Sequence, residues 1–427
     1  MTTTTASYIR DRAAAARSAS RRLAMLPTGA KDAALLGIAE SLESEQGPVL
    51  EANSRDLAAG REAGLDAYFI ERLTLTPGRL RGIAADTRAV AALPDPVGEM
   101  FDTRTLPNGL IIGRRRVPLG VVACIYESRP NVTVDIAALA LKSGNAAILR
   151  GGKEAQHSNR ALGELIGRAL AKTDVPADAV QVVSDPSRAH IDDLLEANDL
   201  VDVVVPRGGP GLIESVRRKA TMPVIAHGDA VVQIYVDASA DIPKAVNVVD
   251  NAKTRRYSIC NAVDTLLVHS AVAPRFLAAL CEHWGSTVTL LADERARPIL
   301  ATAAPKGTPI ESATEAHWRT EHLALRVGVK IVDSLDEAVA HIEEYGSHHS
   351  DAILTEDYTN AMRFFDEVDS ACVYVNASTQ FTDGAQFGLG AEVGISTQKM
   401  HARGPMGLRE LTSYKWTIFG NGQVRPV

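Results

Sequence analysis

The sequence predicts an α/β protein with two parallel-sheet αβα domains and a small β arm, and three observations carry that reading. Short apolar runs alternate with helical segments from residue 118 onward, the pattern of βαβ units joined in series. A second αβ series begins after residue 242. A turn-rich stretch at 102–118 and a short aromatic tail at 410–427 lie outside both series.

Residues 1 to about 95 read as Ala-rich helices with periodic Leu and Ile, broken at Pro27 and Pro77. The Arg- and Ser-rich start has the composition of a transit peptide, but Ile9, Ala13, Ala16 and Leu23 fall on one helical face. It is therefore read as a first amphipathic helix. Pro107-Asn108-Gly109 then marks the turn of a hairpin. LGVVACIYE at 119–127 is nearly continuous in apolar residues, as in a strand covered on both faces. A helix is expected over 133–143, a strand over 145–150, a helix over 158–171 and a strand over 180–183. Next come a helix near 189–196, a strand over 201–205 and a helix from Leu212, with further strands at 223–225 and 231–236. The second series is expected to supply strands at 265–268, 330–332, 352–354 and 372–375. The tail is free to pair with the hairpin or with another subunit.

With 427 residues the chain is too long for one ordinary core. A net charge of −7 argues against a nucleic-acid partner, and no run approaches the roughly 18 apolar residues of a membrane span. Cys124, Cys260, Cys281 and Cys372 are far apart, with no CxxC pair, which points to a reducing, cytoplasmic setting. The histidines lack metal-ligand spacing, so no metal is expected.

Cys260 follows Lys253, Arg255 and Arg256 and precedes an apolar strand. Cations beside a thiol favour the thiolate, the form that acts as a nucleophile. Taken alone, the same residues fit a buried structural cysteine better, as they do for Cys124, Cys281 and Cys372. No GxGxxG follows a strand, but Pro206–Gly211 joins a strand to a helix and can bring backbone N–H groups to a phosphate. A plain tight turn explains that loop equally well. Arg150 and Lys153, at the end of the 145–150 strand, are candidate phosphate or ribose ligands, and GLGAEVGIST at 388–397 reads as a loop lining a site.

Four collinear motifs then carry a resemblance that spans essentially the whole chain. They are VPLGVVACIYESRPNVTVDIAALALKSGNAAILRGGKEAQHSN, RRYSICNAVDTLLVH, EYGSHHSDAIL and FGLGAEVGISTQKMHARGPMGLRELTSYKW. Together they resemble the gamma-glutamyl phosphate reductase (glutamate-5-semialdehyde dehydrogenase) family of the aldehyde dehydrogenase superfamily. The resemblance implies an aldehyde-dehydrogenase-like fold with an NADP-binding domain (1–100 and 118–241), a catalytic domain (242–404) and an oligomerisation arm (101–117 and 405–427). It implies that Cys260 is the catalytic thiol and Asn131 the oxyanion donor. Arg150, Pro206, Gly208, Gly209 and Glu321 are implied to bind NADPH, and Lys153 joins them as a cofactor ligand by its position near Arg150. Arg129, Arg255 and Arg256 are candidates, by position, for the substrate's phosphate and α-carboxylate.

Hydrolytic aldehyde dehydrogenases carry a glutamate base upstream of the cysteine, where this chain has His227-Gly228-Asp229. An enzyme whose acyl group exchanges with phosphate needs no such base, and activated water would destroy its thioester. The expected activity is therefore NADPH-dependent reduction of L-glutamyl 5-phosphate, the second step of proline biosynthesis, with CoA-dependent acyl chemistry as the alternative. A homo-oligomer is expected, with association to glutamate 5-kinase as a further expectation.

Overall fold

The computed structural model describes residues 5–226 and 230–425. The chain divides into two compact units, residues 1–226 with 388–394 and 406–427, and residues 227–387 with 395–405.

The first unit opens with helices Thr5–Leu23, Thr28–Ser44, Gln46–Glu62, Ala67–Leu73 and Pro77–Ala92. Pro27 and Pro77 stand at helix starts as expected, and the Thr76 hydroxyl caps the latter helix by accepting from Arg79 N–H at 3.1 Å. Ile9, Ala13, Ala16 and Leu23 are each fully buried, and the first three pack into the core of the sheet that follows. That sheet is parallel, ordered Val180–Val182, Ala146–Gly151, Val121–Tyr126, Val203–Arg207 among the described residues. Every residue of its two inner strands is buried, because crossover helices cover both faces. The chain runs outward from Val121–Tyr126 through two strands, then returns to that strand's other side. The switch point therefore lies at the C-terminal ends of Val121–Tyr126 and Val203–Arg207, where open α/β sheets form their crevices.

Helix Asn131–Lys142 starts at this switch point and is anchored at its far end. The Lys142 ammonium, 1% exposed, pairs with Asp32 and donates to the Ala91 carbonyl at 2.6 Å. A buried Lys31–Asp95 pair holds the neighbouring helix Thr28–Ser44. Such pairs add little net stability but penalise any other packing of the helices they join.

Three antiparallel strands complete the unit: Met100–Thr105, Ile111–Pro118 and Thr412–Phe419, with Ile111–Pro118 in the middle. The tail thus pairs with the hairpin of its own chain, in register from Thr412 opposite Pro118 to Phe419 opposite Ile111.

The second unit carries a seven-stranded parallel sheet among the described residues. Its order is Ile310–Ser312, Thr289–Ala292, Arg326–Val332, Thr265–His269, Gln233–Val236, Ser350–Leu354, Cys372–Val375. Three sequence expectations need correction. Thr289–Ala292 and Ile310–Ser312 are strands that the sequence did not signal: one is a four-residue run and the other a mostly exposed edge. Gln233–Val236 lies before the expected boundary at 241, yet it pairs in this second sheet. Residues 223–225 make only a bridge between Val224 and Val204, since Pro223 has no N–H with which to extend a ladder.

A buried histidine in this unit gives a pH test. His341 is 5% exposed, and its Nδ1 lies 2.7 Å from Gln233 Oε1. Burial, aided by Lys330 and Arg319, lowers its pKa from 6.5 to about 3. Between those pH values the unfolded chain binds a proton there and the folded chain does not. The stability this group contributes is therefore present above pH 6.5 and lost as pH falls towards 3. His341→Gln should flatten the acid arm of a Tm-against-pH curve, and a curve parallel to wild type would clear His341 as a cause.

Candidate active site

In the first unit, strand Val121–Tyr126 runs into Glu127, Ser128, half-buried Arg129 and Pro130, and Asn131 begins the next helix. Ser128 takes a positive φ of 46° and is held there by donating from N–H (2.7 Å) and Oγ (2.8 Å) to Glu154 Oε1. The Asn131 amide donates through Nδ2 to Asp135 Oδ2 at 2.8 Å, one helical turn on. Burial raises the Asp135 carboxyl to about 6, with Asp86 adding to the rise; the Asn131 hydrogen bond and the charges of Arg207 and Arg129 oppose it.

A cleft of about 660 Å³ opens beside this switch point, lined by Tyr126, Ser128, Arg150, Lys153, Arg188 and Leu212 among others. Arg150 is 6% exposed, and its guanidinium donates to the carbonyls of Gly151 (2.8 Å) and Pro186 (2.9 Å). Its Nε is buried without a hydrogen-bond partner, and burial lowers its pKa. Lys219 at the cleft is neutralised by Asp192 at 2.6 Å, whereas exposed Lys153 and Arg188 make no ion pair with any described residue. The cleft therefore offers cations to a long anionic ligand.

The 206–211 loop is tighter than the sequence suggested. The strand runs on through Pro206 to Arg207, opposite Ile125 and Tyr126, and the helix starts at Pro210. Gly209 N–H donates to Glu127 Oε2 at 2.9 Å, and a Cβ on Gly208 would collide with that carboxylate. Gly211 and Leu212 of the helix reach the cleft. A carboxylate on this helix N-terminus occupies the position an anion would favour.

In the second unit, helix Ile242–Thr254 ends at Arg255, and Cys260 lies on the turn before strand Thr265–His269. Cys260 is partly exposed, while Cys124, Cys281 and Cys372 are buried. Burial pushes the thiols of Cys124 and Cys281 up to about 12 and 11, so neither supplies thiolate at neutral pH. The segment 379–382 braces the Cys260 turn. Asn261 donates to the Thr382 carbonyl at 2.9 Å and accepts from Thr379 Oγ1 at 2.8 Å. Gln380, 4% exposed, donates to the carbonyls of Ala252 and Arg256 and accepts from Arg255 Nε at 2.6 Å. Arg255 is thus held in place, while the guanidinium of exposed Arg256 makes no hydrogen bond or ion pair with any described residue.

Lys253 is fully buried, donating to the Val263 carbonyl at 2.7 Å with Asp264 Oδ1 3.8 Å away. Burial raises the Asp264 carboxyl to about 6, and it accepts from His322 N–H at 2.9 Å. Glu321, next to His322, accepts from Ala230 N–H at 3.4 Å. His227, Gly228 and Asp229, where the superfamily's base would stand, lie outside the described residues. The 388–397 loop divides: 388–394 belong to the first unit, and Ile395–Ser396 pairs with Gly404–Pro405 in the second.

Among the described residues no cluster of His, Cys, Asp and Glu is arranged to hold a metal, and no helix is long and apolar enough to cross a membrane. Sequence reasoning missed Asp135, Glu127 and Gln380. Asp135 carried a signal, a lone carboxylate in the otherwise apolar run of helix Asn131–Lys142.

Comparison with known proteins agrees with this architecture. The model of the aldehyde dehydrogenase family matches residues 1–295. Gamma-glutamyl phosphate reductase from Roseiflexus castenholzii is 56% identical, covering 96% of this chain and 98% of that protein. The reductase of the same name from Dehalococcoides mccartyi is 53% identical and covers 98% of both. The crystal structure of gamma-glutamyl phosphate reductase from Thermotoga maritima matches with a TM-score of 0.94 at 44% identity, covering 98% of this chain and 100% of that one.

Proposed function

The chain belongs to the gamma-glutamyl phosphate reductases, oxidoreductases of the aldehyde dehydrogenase superfamily, and from that membership we propose that it reduces L-glutamyl 5-phosphate to L-glutamate 5-semialdehyde and phosphate with NADPH. In this reading the reaction is the second step of proline biosynthesis and runs through a thioester on Cys260. The observation that carries it is that Cys260, alone of the four cysteines, is not buried.

The Cys260 thiolate attacks the γ-carbonyl, and the resulting oxyanion accepts from the Asn131 amide. The C–O bond to phosphate then breaks and phosphate leaves with the electron pair, giving the thioester. Arg129, Arg255 and Arg256 are the cations for the departing phosphate and the α-carboxylate. Arg255 suits a fixed contact because Gln380 orients it.

The first-unit cleft fits NADPH: it has the size of a cofactor site and holds a buried Arg150 Nε with no protein partner. Arg150, Lys153, Pro206, Gly208 and Gly209 would hold it, with Glu321 towards the nicotinamide ribose. Bound there, NADPH would supply the hydride needed to take the acyl carbon to the aldehyde level. Cys260 is then the leaving group and is regenerated as thiolate. His227-Gly228-Asp229 in place of a glutamate base favours phosphate over water as the acyl acceptor in the reverse direction.

We infer a cytoplasmic homo-oligomer joined through the arm, whose strand Thr412–Phe419 exposes Trp416, Ile418 and Phe419. The labile acyl phosphate favours association with glutamate 5-kinase. Assay of the reverse reaction with glutamate semialdehyde should show NADP⁺ reduction that requires inorganic phosphate and ignores CoA. Reduction driven by CoA without phosphate would replace this reading with CoA-acylating chemistry.

A further inference from the structure

We infer that Asp135 is a positioning residue for catalysis: its carboxylate holds the Asn131 amide with an N–H turned outward to the reacting oxygen. The inference rests on Asn131 being the oxyanion donor proposed above.

A carboxylate only accepts hydrogen bonds, so it fixes which end of an amide faces it. With Asp135 Oδ2 2.8 Å from Asn131 Nδ2, one amide hydrogen is committed and the amide oxygen is turned away. The second hydrogen has no partner among the described residues and projects in the plane of the amide. An oxyanion hole needs a donor set in place before charge develops, and a lone asparagine at the first turn of a helix is free to rotate or flip. The i, i+4 spacing places the two side chains on one helical face. The anchored far end of the helix, at Lys142, fixes the direction in which that face points.

The charged groups around Asp135 are Arg129 before the helix, Arg207 at the end of its strand and Asp86 from helix Pro77–Ala92. With its carboxyl raised to about 6, Asp135 takes up a proton just below neutrality. Protonated, it can donate to the Asn131 carbonyl oxygen as readily as it accepts from the amide, and the orienting bias is lost. Turnover should therefore fall on the acid side as that proton binds.

The test is steady-state reduction of the acyl phosphate by Asp135→Ala, Asp135→Asn, Asn131→Ala and the double Ala variant, from acid to neutral pH. Asp135→Ala should lower kcat roughly 10- to 100-fold, the scale of a misplaced catalytic group, with KM unchanged. Asp135→Asn presents a donor beside its acceptor oxygen, as protonated Asp135 does, so its kcat should match the acid limit of wild type at every pH and show no acid fall of its own. On the Asn131→Ala background, Asp135→Ala should cost nothing further. If the two losses multiply, Asp135 does not act through Asn131 and the inference fails while the oxyanion role stands. If Asn131→Ala alone keeps wild-type kcat, the oxyanion role fails and takes this inference with it. An acid fall in kcat that persists in Asp135→Asn, or a Tm drop in Asp135→Ala with no change in kcat, would reduce the contact to a structural one.

Discussion

Cys260→Ser should lower kcat roughly 10⁴-fold or more, the scale seen when a covalent nucleophile is removed, while NADPH binding is retained. A serine hydroxyl stays protonated at neutral pH, whereas a thiol can ionise there. An oxygen ester is also a poorer hydride acceptor than a thioester, so both halves of the reaction suffer. Folding should be retained, because Asn261 and Gln380 brace the turn. Cofactor binding should persist because Arg150 and Lys153 line the cleft of the first unit. Kinetics and a fluorescence titration of NADPH on the same preparation separate the two effects. Alkylation adds a second reading: iodoacetamide should label Cys260 first, since Cys124 and Cys281 are buried with thiols raised to about 12 and 11. Near-normal turnover of the serine variant would eliminate the covalent route.

How Cys260 came to stand out shows which information the sequence carries and which only packing supplies. Its neighbours Lys253, Arg255 and Arg256 read as a cationic cluster, yet in the folded chain they do three different things. Lys253 is buried against Asp264, Arg255 is bound by Gln380, and Arg256 faces solvent. Gln380 is far away in sequence, so no local pattern could have foretold the brace it provides. The βαβ strands of the first unit were legible because strands buried on both faces are continuous apolar runs. Ile310–Ser312 was not, because an exposed three-residue edge strand has no hydrophobic signature. Gln233–Val236 was legible as a strand but not as a member of the second sheet, since sheet membership is decided by partners and not by composition. The strand-to-helix junction at 206–211 was legible, but not the Glu127 carboxylate that sits on Gly209 N–H.

Asn131→Ala should lower kcat by roughly 10²–10³ if the amide is the oxyanion donor, with KM nearly unchanged. The asymmetry follows from the chemistry: the amide meets full negative charge only in the tetrahedral species, so its loss raises the barrier more than it weakens ground-state binding. A folding explanation is weak at this position. Pro130 caps the helix without any side-chain hydrogen bond, and removing the Asn131 carboxamide deletes no cap. The variant does remove the one hydrogen bond that lowers the pKa of Asp135, so that carboxyl should titrate higher than before. Asn131→Asp sharpens the test, because it keeps the size of the side chain while replacing the donor with an acceptor. Two carboxyls would then face each other across the present Asn131–Asp135 contact and share a proton, as close acid pairs do. At neutral pH that pair offers the oxyanion negative charge in place of an N–H. The Asp variant should therefore be slower than the Ala variant at neutral pH and approach it as acid neutralises the pair. An Asp variant as active as wild type would show that no oxyanion draws on residue 131.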